Sequence, residues 1–175
     1  MTRRATVFHF DSFCKSILVF SFMLLLAGLE IMPVASWAII DGQSAATVLG
    51  QPDFTSKGEK DTAQNTLNSP QGNVFDSSGN LWVADTENNR VLMYSKTNLG
   101  TNGAAATVVL GQNSFTSKSN DEDQLSASSL NNPDGITFDS AGNLWVADMK
   151  NNRVLMYSKT NLGTNGAAAT VVLGQ

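Results

Sequence analysis

Cysteine and histidine are almost missing: the 175-residue chain has one of each, Cys14 and His9, and both lie near its start. The remainder has no disulfide to staple it, no imidazole or thiolate to hold zinc, and no histidine to activate a nucleophile. Charge is scarce too. Charged residues make up 15% of the chain and the net charge is −4, which excludes a basic nucleic-acid-binding surface and a disordered polyelectrolyte. Glycine-rich phosphate loops and nucleophile elbows are absent as well, and no cofactor is expected. Long apolar stretches are confined to the first forty residues, where Ile17 to Leu29 forms the main run.

That run reads as part of a leader. Arg3, Arg4 and Lys15 give a basic start, and Ala35-Ser36-Trp37-Ala38 supplies small residues at a cleavage point after Ala38. Residues 1–38 are therefore expected to be a helical signal peptide. An uncleaved anchor over residues 17–40 is the alternative, because Ile31 to Ile40 stays apolar and a spanning helix needs roughly 20 such residues; Glu30 interrupts the run and favours cleavage. Twin-arginine export is suggested by Thr2-Arg3-Arg4, but the usual apolar pair does not follow. The expected location is secreted, periplasmic or cell-surface, with membrane association only if the leader is retained. Cleavage would leave eight basic and thirteen acidic residues, a mildly acidic chain large enough to bury one core without disulfides.

In place of these missing features the sequence has repetition. Gly79 to Gln112 reads GNLWVADTENNRVLMYSKTNLGTNGAAATVVLGQ, and Gly142 to Gln175 repeats it with Thr86-Glu87 changed to Met149-Lys150. The same offset relates Pro70 to Pro133, Asp85 to Asp148 and Arg90 to Arg153, and a partial copy, Ala46 to Gln51, resembles Thr107 to Gln112. The expected organisation is a lone strand with the start of a linker over 39–56, a first repeat over 57–112 and a second over 113–175.

Each repeat contains four short apolar runs bounded by turn residues. In the first they are Gly72 to Asp76, Leu81 to Asp85, Arg90 to Ser95 and Thr107 to Gly111. Asp76-Ser77-Ser78-Gly79-Asn80 and Glu87-Asn88-Asn89 predict tight connections, because Asn, Asp and Gly tolerate positive φ or make Asx-turns. Asn102-Gly103 marks a turn in the longer third connection. The runs LWVA, VLMY and TVVL are nearly continuous in apolar residues, so each sheet is expected to be covered on both faces. The expected fold is all-β: two four-stranded antiparallel propeller blades, the open part of a β-propeller, after the leader.

The stretch Pro133 to Tyr157, PDGITFDSAGNLWVADMKNNRVLMY, and its counterpart Pro70 to Tyr94 resemble the NHL repeat: Pro-x-Gly, an apolar strand ending in Asp, Gly-Asn, an apolar-aromatic strand ending in Ala-Asp, then Asn-Arg-Val. Val48 to Ser56, VLGQPDFTS, resembles a linker of bacterial long-repeat members. The resemblance implies propellers, often six-bladed, that mostly serve as binding platforms. Protein or carbohydrate ligands follow from it, and nucleic acid does not. Related propellers include lyases with metal-bound histidines and hydrolases with calcium held by acidic and amide side chains. A fragment of a calcium-dependent hydrolase or lyase is thus the alternative. A closed ring needs at least about four blades, so either the reading frame is truncated or several chains join as a homo-oligomer.

In an up-and-down blade the first and third connections share one end, while the second connection and the inter-repeat linker share the other. The differences between the repeats collect at the second end: Gln71 and Asn73 against Asp134 and Ile136, Thr86 and Glu87 against Met149 and Lys150, and linkers of which only the later carries Asp121, Glu122 and Asp123. Gln71, Asn73, Thr86, Glu87, Asp121, Glu122, Asp123, Asp134, Met149 and Lys150 are accordingly the candidate binding face, since rigid scaffolds commonly carry specificity in loops. Drift after duplication would also place differences in loops. The acidic triplet lacks the alternating carboxylates and turn glycine of a calcium loop, so no metal site is assigned. Asp85 and Asp148 are expected to brace the turn or pair with Arg90 and Arg153. Trp82 and Trp145 are expected to pack inside, with a ligand-stacking platform as the alternative, and Tyr94 and Tyr157 to pack between blades or expose their hydroxyls.

Overall fold

A computed structural model describes residues 42–58, 61–120 and 125–174. The expected leader and its helix lie outside the described residues. The chain divides into two compact units, Met1–Gln43 and Ser44–Gln175, and the fold below is that of the second. It contains β1 (Pro70–Phe75), β2 (Leu81–Asp85), β3 (Arg90–Tyr94) and β4 (Val108–Leu110), then β5 (Pro133–Phe138), β6 (Leu144–Asp148), β7 (Arg153–Tyr157) and β8 (Val171–Leu173). These form two four-stranded sheets, ordered β1-β2-β3-β4 and β5-β6-β7-β8, antiparallel throughout. The fold is all-β, and the sheets are two blades of an open propeller.

Turn chemistry sets the blade. The Asp76 carboxylate accepts from the backbone N–H groups of Ser78 and Asn80, and Gly79 takes φ +85°, so the β1–β2 connection closes without strain. Between β2 and β3 the chain makes one 3-10 turn, Thr86–Asn88, and leaves it through Asn89 at φ 53°, a left-handed conformation that asparagine tolerates. Asn152 repeats this after Met149–Asn151. The expected tight hairpin is therefore a short helical turn.

Strand register sorts the side chains. Leu81 lies opposite Tyr94, Val83 opposite Leu92, and Leu92 opposite Val109, which puts this set on one face of the first blade. Trp82, Val91, Val108 and Leu110 belong to the other face. That second face shares a core cluster with Leu144, Val146, Leu155 and Tyr157 of the second blade, and the Trp82 ring meets Phe138 edge-on at 6.0 Å. The first blade's opposite face forms another cluster, with Leu49, Leu67 and Phe115 packed against it. Both faces of that blade are thus covered, as its nearly continuous apolar strands require.

The lone strand expected at Thr47 to Gly50 is not a strand. It has no third strand of its own blade to pair with, and what holds Val48 is the following blade's loop. Gly103 N–H donates to the Val48 carbonyl at 2.9 Å and the Asn102 side chain accepts from the Val48 N–H at 3.1 Å. The same clasp recurs one repeat later, where Gly166 N–H reaches the Val109 carbonyl and Asn165 Oδ1 accepts from the Val109 N–H. Asn-Gly is more than a turn signal here. It closes the outer edge of the preceding blade and satisfies groups that an edge strand would otherwise leave unpaired.

Candidate functional site

The Asp–Arg pair common to both repeats is built into each blade. Asp85 is fully buried; its Oδ1 accepts from the Asn68 backbone N–H at 2.6 Å, and its Oδ2 accepts from Arg90 Nε at 2.6 Å and Asn88 Nδ2 at 2.9 Å. Arg90, also fully buried, donates Nη2 to the Ala63 and Thr66 carbonyls and Nη1 to that of Phe115. One ion pair therefore ties three segments of linker to the blade. Asp148 and Arg153 repeat the contacts to the preceding linker, through Asn131, Ser126 and Ser129. Asp85 braces the linker through Asn68 rather than only its own turn.

The candidate face divides. Gln71, Asn73 and Asp134 are exposed on β1 and β5, and Met149 and Lys150 are exposed beyond β6. Asp121, Glu122 and Asp123 lie outside the described residues. Thr86 is buried, and its Oγ1 donates to the Pro133 carbonyl at 2.7 Å. Asn132, which precedes that proline, donates its backbone N–H to Asn89 Oδ1 at 2.9 Å and its side-chain amide to Glu87 Oε1 at 3.3 Å. The pair that distinguishes the repeats thus contacts the next blade. Its partner is itself repeat-specific, since Ser69 occupies the position equivalent to Asn132.

A cavity of about 360 Å³ opens at the opposite end, between the blades. Trp82, Met93, Phe138 and Leu162 give it apolar walls, and Asp76, Asp139 and Lys159 give it charge. Asp76 accepts four hydrogen bonds, from Ser78 N, Asn80 N, Asn80 Nδ2 and Trp82 Nε1. Asp139 accepts the matching four from Ala141 N, Asn143 N, Asn143 Nδ2 and Trp145 Nε1. Asn143 and Trp145 hold the Asp139 carboxyl down at about 2. Burial works to raise that of Asp76, and the donors from Asn80, Trp82 and Ser78 outweigh it. Both acids are anionic at neutral pH and occupied by their own turns.

Asn80 and Asn143 also fix the neighbouring loop, accepting through Oδ1 from the backbone N–H of Lys96 and Lys159. The first and third connections of each blade are bonded together at this end. The Lys159 stem then runs across Gly142, where a Cβ would stand 3.0 Å from Lys159 Cδ.

The family model for the NHL repeat matches residues 67–94 and 130–157. The chain carries two NHL repeats. Each match begins at the leucine before β1 or β5 and ends at the tyrosine closing β3 or β7, so it includes the Asp–Arg pair and omits the fourth strand. No curated protein matches the chain.

Within the NHL repeats, the residues that sequence comparison singled out lie at the linker end, whereas this cavity lies at the end where the repeats barely differ. Asp76, Asn80, Asp139 and Asn143 were legible as turn formers. Their place beside an inter-blade cavity was not, because Trp82 and Phe138 come together only when one blade packs on the next.

Proposed function

We propose that this chain is an exported NHL-repeat module that binds or scaffolds a protein ligand. The observation that carries the reading is the use of its repeated charged groups: Asp85, Arg90, Asp148 and Arg153 are spent on linker carbonyls, amides and each other. A buried acid–base pair that recurs in each blade and is bonded to its linker builds a scaffold. It leaves recognition to exposed groups carried on rigid strands and turns. The basic and apolar start supports export.

The test is to pan the purified chain against a displayed peptide library and a glycan array, and to titrate it with calcium by calorimetry. Enriched peptides that bind reversibly in solution are expected. Glycan binding alone would move the assignment to carbohydrate. Tight stoichiometric calcium binding accompanied by ester or lactone turnover would replace the scaffold with the hydrolase.

A further inference from the structure

We infer that a socket on the second blade seats the Phe54 loop of a second copy of this chain, forming an interface between copies. This goes beyond the ligand-binding reading and does not rest on it. The first blade shows how such a socket is filled.

There Phe115 packs against the cluster that contains Leu92, Ala106 and Val109, and its carbonyl accepts from Arg90 Nη1. The second blade holds the same groups one repeat on: Arg153 for Arg90, Leu155 for Leu92, Ala169 for Ala106 and Val172 for Val109. With Leu125 and Ala127 of the preceding linker they line a cavity of about 300 Å³, room for an aromatic side chain and its backbone. Arg153 is 8% exposed, and its Nε and Nη2 make the same bonds as those of Arg90, to the strand carboxylate and two linker carbonyls. A guanidinium is planar, so Nη1 takes the equivalent place as well. It has no acceptor among the described residues. A nearly buried donor beside an apolar cavity calls for a carbonyl with an apolar side chain attached, which is what Phe115 gives Arg90. Leu125, Val171 and Val172 make the rim exposed and apolar.

The chain carries a matching segment. Gln51-Pro52-Asp53-Phe54-Thr55-Ser56 corresponds to Gln112-Asn113-Ser114-Phe115-Thr116-Ser117, so Phe54 is the counterpart of Phe115. Phe115 is partly buried, whereas Phe54 is 53% exposed and its carbonyl has no donor among the described residues. The Asp53 carboxylate accepts from the backbone N–H groups of Thr55 and Ser56, which fixes the loop before it meets a partner. The ring and carbonyl of Phe54 are thus the two groups that complete the second socket. Phe54 stands exposed beside the first blade, where Phe115 already fills the socket, so a second copy brings the loop to the second blade.

Sedimentation velocity of the full chain over a concentration series should show reversible self-association. Phe54→Ala should weaken it roughly tenfold or more, the scale of losing one anchoring aromatic. Ala127→Trp, which fills the socket from an exposed linker position, should weaken it comparably. Phe75→Ala removes another exposed phenylalanine and should change nothing. The acetylated, amidated peptide Gln-Asn-Ser-Phe-Thr-Ser, copied from the loop that fills the first socket, should compete; Gln-Asn-Ser-Ser-Thr-Ser should not. To locate the contact, Phe54→benzoylphenylalanine is photolysed in a mixture of 14N- and 15N-labelled copies. Crosslinks should join the two labels at Leu125 to Ala127 or at Val171 and Val172. A monomer at every concentration, association that Phe54→Ala leaves intact, a Phe75→Ala effect of the same size, or crosslinks confined to one copy would overturn the interface. Its failure is distinct from failure of the ligand-binding reading, which the displayed peptides test on the same chain.

Discussion

Two buried polar groups have opposite consequences for stability. The Tyr94 and Tyr157 hydroxyls are buried without a hydrogen-bond partner among the described residues, and burial, reinforced by Asp85 and Asp148, pushes their ionisation above the ordinary tyrosine value. Each ring is retained for packing while its hydroxyl loses contact with water. Tyr94→Phe and Tyr157→Phe should be neutral or stabilise by up to about 1 kcal/mol in urea unfolding, because removing an unsatisfied group costs no bond. Arg90→Met is the contrasting case. It strands a buried Asp85 carboxylate and frees three linker carbonyls, so about 3–5 kcal/mol should be lost in the same measurement. Acid adds a third residue-scale test. Asp139 is held at about 2 against an ordinary 3.8, so it binds protons less readily when folded. Its stabilising contribution is complete above about pH 4 and is lost as pH falls towards 2. Wild type should unfold more readily across that window, and Asp139→Asn should show a shallower acid limb in thermal melts.

At the scale of elements, the junction between blades accounts for the one alteration in the doubled passage. Thr86 and Glu87 engage Pro133 and Asn132, whereas Met149 has no hydroxyl to donate and Lys150 has no carboxylate to accept. Thr86→Met with Glu87→Lys should therefore destabilise the first junction by about 1–2 kcal/mol. Combining Glu87→Lys with Asn132→Ser should cost less than the sum of the two, a double-mutant cycle read by urea unfolding. Strands β2 and β6 were legible to the residue because the LWVAD runs are bounded by turn residues on both sides. β1 begins two residues earlier than its apolar pattern, since Pro70 pairs with Asp85 across a bulge that periodicity does not reveal. The segment at Val48 has the composition of a strand but lacks a neighbouring ladder, and composition alone does not disclose a missing partner. Comparing the repeats located Thr86 and Glu87; it did not identify their contact, because Asn132 lies more than forty residues away and reads as loop polarity.

For the two blades taken together, the decisive feature is that they share a core. Trp82, Val91, Val108 and Leu110 from one blade and Leu144, Val146, Leu155 and Tyr157 from the other form a single cluster, to which Leu130 from the intervening linker adds a fully buried side chain. Leu130 also packs on Gly111, where a Cβ would come within 2.5 Å of Leu130 Cδ1 and φ is +84°. Neither blade buries this surface alone. Unfolding the second blade would expose the first blade's Trp82 face, and losing the first would expose Leu144 and Tyr157. The two NHL repeats should therefore unfold as one cooperative unit. Leu110→Ala and Leu144→Ala lie in different blades, and each should cost about 2–5 kcal/mol as a buried leucine truncation. Because they line the same cluster, the double variant should depart from additivity by about 0.5 kcal/mol or more. Far-ultraviolet circular dichroism and tryptophan fluorescence should give coincident urea transitions in all three variants. Separated transitions, or strictly additive costs, would mean that each blade holds its own core and that the shared cluster is contact without coupling.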